Sequence, residues 1–315
     1  MKLYGLILII VSFSMVSNLV WNYAIHMKEL LQMIHKMVLE ILGLEDHYNS
    51  HMESIDYSMR FTKYYNDISE TGTKVVMPSH KDPNYISIIG QHNIGGLEIE
   101  TSNGEWISTT PIKNSFTVLL GEAFMAWTNK IFQAPCHRVK IDGSEERYSI
   151  VFSTIPSFTN DVINPPKELV DEEHPLLFKS FKYYDYMKER NIKILCNSIA
   201  VDLSGLDLTC LHDKTWAVAR ANIAHALKKF GGFEAVYDQI GPELRGGLLG
   251  QAIPELFEVP DIEKLINPSQ VPYHGFFFQK KGFPFLSLKM FELSSKNNVQ
   301  DFSNMIWPQG NIFFR

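Results

Sequence analysis

The sequence predicts a mainly β protein with flanking helices, an α+β chain whose core is a sandwich or jelly roll rather than a parallel sheet. Three observations carry this. Many short segments of strand-like composition follow one another at regular spacing, separated by Gly, Pro, Asn and Asp. Asn103-Gly104 and Asp142-Gly143 are hairpin-type turn signals between such segments. Helical periodicity is confined to stretches before and after this run.

The elements are taken in chain order. Residues 1–20, "MKLYGLILIIVSFSMVSNLV", form an apolar leader open to three readings: a signal or membrane anchor, a span of borderline length, or a segment without structural role. From Met27 to Leu42, Leu30, Ile34, Met37, Val38 and Ile41 share one face of an amphipathic helix that Gly43 stops. His35 is read as a surface residue of that helix. The segments "MRFTKYY", "KVVMP", "YISIIG", "GLEIET", "WISTT", "FTVLLG", "HRVKI" and "RYSIVF" then read as strands. Pro156, Pro165 and Pro166 break the chain beyond the last of these strands, and "SFKYYDYMKER" reads as a short helix. A strand at Ile199–Leu203, a helix holding Trp216, Ile223, Leu227 and Phe230 on one face, and a strand "FEAVYD" come next. A further helix begins after Pro242 and is divided by Pro254, and the last forty residues read as loop.

Composition excludes several functions. The 315 residues are 45% hydrophobic and 20% charged, ordinary for a globular protein able to bury a core. A formal charge of −6 offers no basic footprint for nucleic acid, and acidic runs such as Asp171-Glu172-Glu173 read as solvated surface. Cys136, Cys196 and Cys210 fit neither a disulfide framework nor a zinc site, so a reducing, cytoplasmic setting is expected, with a secretory or membrane-associated alternative resting on residues 1–20.

The chemistry-bearing residues lie in the strand-rich part. In a strand, residues two apart point the same way, so His80 and Asp82 can share a face. With His137 they make two imidazoles and one carboxylate, a set that leaves metal positions open and suits non-haem Fe(II). A zinc hydrolase could use the same ligands, and a lone HxD is most simply a polar turn beside a surface histidine. Ten residues after His137 stand Arg147 and Ser149, again two apart on a strand. The Asp142-Gly143 turn is expected to fold that strand back beside His137. A guanidinium fork with an adjacent hydroxyl suits a carboxylate, against the plainer reading of a surface arginine.

His80-x-Asp82, then His137, then Arg147-x-Ser149, together with "RYSIVF", "SFTVLLGEAFMAWTN" and "PPKELVDEEHPLLF", resembles the Fe(II)- and 2-oxoglutarate-dependent dioxygenases of the soluble plant branch, and most of all their AOP-like group. The resemblance covers most of residues 25–185. It implies a double-stranded β-helix (a cupin-like jelly roll), Fe(II) held by His80, Asp82 and His137, 2-oxoglutarate anchored by Arg147 and Ser149, and ascorbate-supported turnover. Tyr64 falls where the family often has a further co-substrate contact. Thr62, Lys81 and Glu122 depart from the family's Asn, small residue and Asp at their positions. The implied reaction uses O₂ and 2-oxoglutarate to hydroxylate, desaturate or dealkylate a small organic molecule of plant specialised or hormone metabolism, yielding succinate. The implied protein is a monomer, and a non-catalytic remnant that at most binds metal or a partner is the alternative.

Residues 191–315 resemble the same family's beginning: "SIAVDLSGLDL" its first strand, "ARANIAHALKKFGGFEAVYDQI" its first helix and strand, "PYHGFFFQ" and "SNMIWPQGN" later landmarks. The chain thus divides into the leader 1–20, a catalytic jelly-roll half 21–190, and an amino-terminal-like half 191–315 expected to pack on it as one circularly permuted domain. A fusion of two neighbouring genes is the other origin left open. Phe276, Phe277 and Trp307 read equally as pocket walls or as core anchors.

Overall fold

The strands alternate two kinds of surface, and that alternation positions everything else. A computed structural model describes residues 2–65, 72–101, 104–142, 145–189, 199–209, 211, 213–259, 275–278, 284–291, 293, 296–297 and 299–301. Its strands are β1 (Ile55–Tyr64), β2 (Thr73–His80), β3 (Ile86–Gln91), β4 (Leu97–Glu100), β5 (Trp106–Ser108), β6 (Ser115–Leu120), β7 (His137–Asp142), β8 (Arg147–Pro156), β9 (Val162–Ile163), β10 (Phe181–Lys182), β11 (Ile199–Asp202), β12 (Gly232–Val236), β13 (Gly275–Phe278) and β14 (Phe285–Phe291). Two sheets make the jelly roll. The larger has the order β11-β12-β6-β3-β8-β1-β14-β13 and the smaller β2-β7-β4-β5, while β9 and β10 pair separately. All these pairings are antiparallel except β11 with β12.

On the large sheet, side chains of even and odd register separate by chemistry, as period-two geometry requires. The outer face carries Met59, Phe61, Ile88, Val118, Ile150, Phe152 and Leu288, all buried under helices. The inner face carries Thr62, Tyr64, Ser87, Gln91, Arg147 and Ser149, and packs its apolar members Ile89 and Leu119 against Val76, Leu97, Ile99 and Val139 of the small sheet. The outer face is therefore the main core, and the inner one a polar chamber closed by a second, smaller apolar cluster.

Helix α1 (Lys2–Ile41) covers the outer face. It is longer than the Met27–Leu42 element expected and continues unbroken from the leader. Val20, Tyr23 and Ala24 already belong to its buried side. Gly43, at φ +68°, ends it, a conformation glycine adopts without penalty. Among the described residues no helix is long and apolar enough to cross a membrane. His35, expected at the surface, is fully buried. Its ring accepts neighbours on a helix face wider than the apolar stripe, bonding Thr154 Oγ1 at 3.0 Å and His51 Nε2 at 3.1 Å. His51 belongs to α2 (Tyr48–Glu53), beside α3 (Glu122–Trp127).

The α4 helix (Tyr183–Glu189) follows β10, and residues 190–198 lie outside the described part. Helix α5 (Lys214–Phe230) is capped by Asp213, whose carboxylate accepts from Trp216 N at 2.9 Å, and ends at Gly231 with φ +70°. Its Trp216, Ile223 and Leu227 are buried against α1 and the sheet. Glu40 of α1 ties the two helices, accepting from Trp216 Nε1 at 3.1 Å and Arg220 Nη1 at 2.8 Å. The helix after Pro242 is divided as expected. It runs as α6 (Pro242–Gly247), a π-helical turn Leu248–Ala252, and α7 (Ile253–Phe257) around Pro254.

The last forty residues are not all loop. β13 and β14 are strands, and β14 lies against β1 over seven residues from Ser58↔Phe291 to Tyr64↔Phe285. The strand signal is hidden in the sequence because both faces of β14 are covered, which removes the clean polar alternation of a half-exposed strand. Trp307 and the side chains of Phe276 and Phe277 fall outside the described residues. β11 joins the large sheet, whereas His80 belongs to the small one.

Candidate metal centre and oxo-acid cleft

His80 is the last residue of β2 and pairs in register with His137, the first of β7. Asp82 comes after the strand rather than lying on it, so a turn, not a shared strand face, brings its carboxylate round. That turn is pinned by the start of α3, where Glu122 N donates to Asp82 O at 2.8 Å and Gly121 N to Tyr85 O at 2.8 Å. Gly121 is required there, since a Cβ would stand 2.0 Å from Asn84 O.

The result is a compact donor set. Each of the two imidazole Nε2 atoms lies 3.8 Å from Asp82 Oδ1, and one ligand atom from each residue lies within 4.8 Å of the others. The far nitrogens are occupied: His80 Nδ1 donates to Pro78 O at 2.9 Å and His137 Nδ1 to Pro135 O at 3.5 Å. This leaves both Nε2 lone pairs facing the carboxylate, the tautomer a metal needs. Asp82 Oδ2 accepts from Ser87 Oγ, which itself accepts from Asn84 Nδ2 at 2.7 Å. Burial alone would raise the Asp82 carboxyl, but His137, His80, Arg60 and the Ser87 hydrogen bond hold it down at about 2. Burial and the adjoining His137 push the His80 imidazole down to about 3. An ionised Asp82 carboxylate beside a neutral His80 imidazole, with His137 Nε2 facing the same oxygen, suits a divalent-cation site.

Arg147 and Ser149 are not beside His137 on a hairpin, as the Asp142-Gly143 turn suggested. β7 belongs to the small sheet and β8 to the large one, so the chain crosses between sheets there. A hairpin would have set the two groups on one surface; the jelly roll instead sets them on facing walls of one cleft. That cleft is lined by His80, Asp82 and His137 at one end, by Arg147, Ser149 and Tyr64 at the other, and by Met77, Ile89, Val139 and Val151 between.

Arg147 is fully buried, a costly place for a cation unless it is hydrogen-bonded. Its Nε donates to Gly95 O at 2.9 Å and one Nη to Gln91 Oε1 at 2.9 Å, and the guanidinium lies 4.7 Å from the centre of the Tyr64 ring. These contacts fix the fork. The other Nη and the Ser149 hydroxyl are buried with no partner in the protein. Two orphaned polar groups side by side, one cationic, fit a carboxylate. Gly96, at φ +117°, lets the backbone carrying that Gly95 carbonyl pass Lys140 O, which a Cβ would meet at 2.0 Å.

Sequence reasoning missed Ser87, Asn84 and Gln91, which orient the named residues, and two cations at the metal end. Arg60 lines the cleft two residues before Thr62 on the inner face of β1. Lys289 is its register partner on β14. Burial and the neighbouring Arg60 push the Lys289 amine down to about 7, with Asp82 opposing. The period-two spacing Arg60, Thr62, Tyr64 could have revealed the first; nothing local reveals the second.

Residues 56–156 match the 2OG-Fe(II) oxygenase superfamily. Over 176 residues the chain is 35% identical to the probable 2-oxoglutarate-dependent dioxygenase AOP1.2 of Arabidopsis thaliana, covering 55% of this chain and 54% of the relative. Over 113 residues it is 41% identical to the 2-oxoglutarate-dependent dioxygenase AOP2 of the same plant, covering 36% and 26%. The chain thus spans about half the length of the curated relatives it matches over the longest stretch. Among solved structures, the rice dioxygenase for auxin oxidation aligns over 42% of this chain and 45% of its own, at 30% identity and a TM-score of 0.40. JOX2 in complex with 2OG, Fe and JA aligns over 53% and 50%, at 24% identity and 0.48.

Proposed function

We propose that this chain, through the segment matched to the 2OG-Fe(II) oxygenase superfamily, is a 2-oxoglutarate-dependent dioxygenase acting on a small organic molecule. One observation carries the reading: a His-Asp-His donor set, with Asp82 and His137 buried, faces a buried arginine and serine whose free polar atoms suit a carboxylate. Bound at His80, Asp82 and His137, ferrous iron supplies O₂ activation coupled to oxidative decarboxylation of 2-oxoglutarate to succinate and CO₂, with oxidation of the organic substrate.

The residues of the chain bind and orient. Arg147, clamped by Gln91, Gly95 and Tyr64, presents its free Nη with Ser149 Oγ to the distal carboxylate of 2-oxoglutarate. Its distance from the metal end, across the chamber, turns the oxo-acid end of the co-substrate toward the histidines. Ser87 and the Pro78 and Pro135 carbonyls keep the three ligands in the coordinating tautomer and rotamer. Met77, Ile89, Val139 and Val151 form apolar walls that limit water at the reacting centre. Ascorbate is proposed as the supporting reductant, and a plant specialised or hormone-related metabolite as substrate, by likeness to the relatives.

We also propose that residues 21–315 form one circularly permuted domain. The support is the large sheet itself, in which β11 and β12 extend one edge and β14 and β13 the other.

Anaerobic titration with Fe(II) and 2-oxoglutarate tests the function. A weak visible charge-transfer band is expected, and Arg147→Ala should abolish it while leaving Fe(II) binding in place. A folded, monomeric wild-type protein that gives no band anaerobically and forms no succinate once O₂ is admitted overturns the proposal.

A further inference from the structure

The acceptor that fixes Arg147 is a side-chain amide, a group with a donor end and an acceptor end, and the fold decides which end faces the cation. Gln91 closes β3, buried and opposite Ser149 in the β3–β8 register. Its Oε1 accepts from Arg147 Nη2 at 2.9 Å, while its Nε2 donates to Thr109 Oγ1 at 2.8 Å. Thr109 stands just past β5, at the end of the small sheet, and is buried as well. Its hydroxyl donates to Leu97 O at 3.2 Å, so toward Gln91 that oxygen can only accept. A guanidinium has donors only. Gln91 is therefore bonded at both ends in a single orientation: nitrogen to Thr109, oxygen to Arg147.

The same stretch backs the second acceptor of Arg147. Thr109 N donates to Leu97 O at 2.8 Å, and a Cβ on Gly95 would stand 3.2 Å from Pro111 Cδ and 3.6 Å from Thr109 O. Gly95 O, which accepts from Arg147 Nε, thus rests on the Thr109 segment too. The Gln91 backbone is held independently, its carbonyl accepting from Arg245 Nη2 of α6 at 2.6 Å. Only the rotation of the amide is left to be chosen, and Thr109 chooses it. Without that hydroxyl the amide can turn its NH₂ toward a buried cation, where donor meets donor and the guanidinium loses its anchor.

We propose that Thr109 is a positioning residue for the co-substrate: acting through Gln91, it aims the free Nη1 of Arg147 at the distal carboxylate of 2-oxoglutarate. The inference rests on the dioxygenase reading of the cleft. It gives the small sheet, which supplies the two histidines, a part in holding the opposite end of the co-substrate as well.

The test uses the full chain, anaerobic and saturated with Fe(II), and follows the charge-transfer band during titration with two oxo acids. One is 2-oxoglutarate; the other is 2-oxopentanoate, which keeps the oxo-acid end but has a methyl group in place of the distal carboxylate. The wild-type protein should bind 2-oxoglutarate more tightly. Thr109→Val, close in shape but without the acceptor, should weaken 2-oxoglutarate roughly tenfold, the scale of a charge-assisted contact, and leave 2-oxopentanoate and Fe(II) affinities unchanged. Thr109→Ser should restore the preference. Gln91→Met should show the same loss, and the double variant no more than Gln91→Met alone, because the two residues act in series. An unchanged preference in Thr109→Val, an equal loss for both acids, or additive effects in the double variant overturns the inference. Where valine unfolds the chain, Thr109→Ala takes its place under the same criteria. A wild type that shows the band with both acids at equal affinity overturns the Arg147 clamp and the inference with it. No band with either acid overturns the dioxygenase reading instead.

Discussion

Ser87 shows how a residue outside any motif controls one inside it. Its hydroxyl donates to Asp82 Oδ2 and is oriented by Asn84, so it fixes which carboxylate oxygen faces the two imidazoles. Ser87→Ala should weaken Fe(II) binding by roughly 10–100-fold, the usual effect of losing an outer-shell partner, with little change in fold. Anaerobic metal titration with circular dichroism as a control measures this, and unchanged affinity would show that the α3 start alone positions Asp82. The motif residues themselves were legible because their spacing is short and their chemistry rare. Ser87 was not, because a serine in a strand is ordinary until its neighbour across the turn is known.

At the scale of elements, the α1–α2 junction buries a histidine pair under the sheet. His35 Nδ1 and His51 Nε2 share one hydrogen bond at 3.1 Å, and the His51 ring packs 4.5 Å from Trp127. The other His51 nitrogen has no partner. Burial, with His51 adding to it, holds His35 well below the ordinary histidine range, and burial with His47 adding to it holds His51 at about 3. Both are neutral in the folded protein and protonate in the unfolded one below about pH 6.5. Their depressed values therefore contribute stability that is complete above that pH and fades as pH falls below it, for His51 toward 3. Urea midpoints of the metal-free protein should fall steeply between pH 6.5 and pH 5, and His35→Leu with His51→Phe should flatten that slope. An unchanged slope would assign the acid sensitivity to His80 and other groups. Amphipathic spacing identified α1 and stopped it correctly at Gly43, but placed His35 outside because a stripe drawn from apolar residues alone omits a polar residue that the core satisfies.

For the whole molecule, the large sheet is the decisive object. Without residues 199–291 it would keep only β6, β3, β8 and β1, with β6 and β1 left as open edges. Unpaired edges of buried, apolar strands invite aggregation. Residues 1–190 expressed alone should therefore be insoluble or oligomeric, whereas the full chain should unfold in one transition. Urea unfolding followed by far-ultraviolet circular dichroism and tryptophan fluorescence should coincide, since Trp216 on α5 hydrogen-bonds Glu40 on α1. Two separated transitions would show that the halves fold independently and would remove the permuted-domain reading.

The sequence by itself determined the β-rich class and the strands β1 to β8, because period-two alternation and turn spacing are local properties of a chain, and it singled out His80, Asp82, His137, Arg147 and Ser149 as candidates. Tertiary structure alone decided that His80 and His137 occupy one sheet and Arg147 the opposing one, that His35 is a core residue, and that Lys289 is the register partner of Arg60. Those facts depend on contacts between segments distant in sequence, from His35 with Thr154 to Arg60 opposite Lys289. Pairing of that kind is selected by the total surface two segments bury together, a quantity no single stretch of sequence contains.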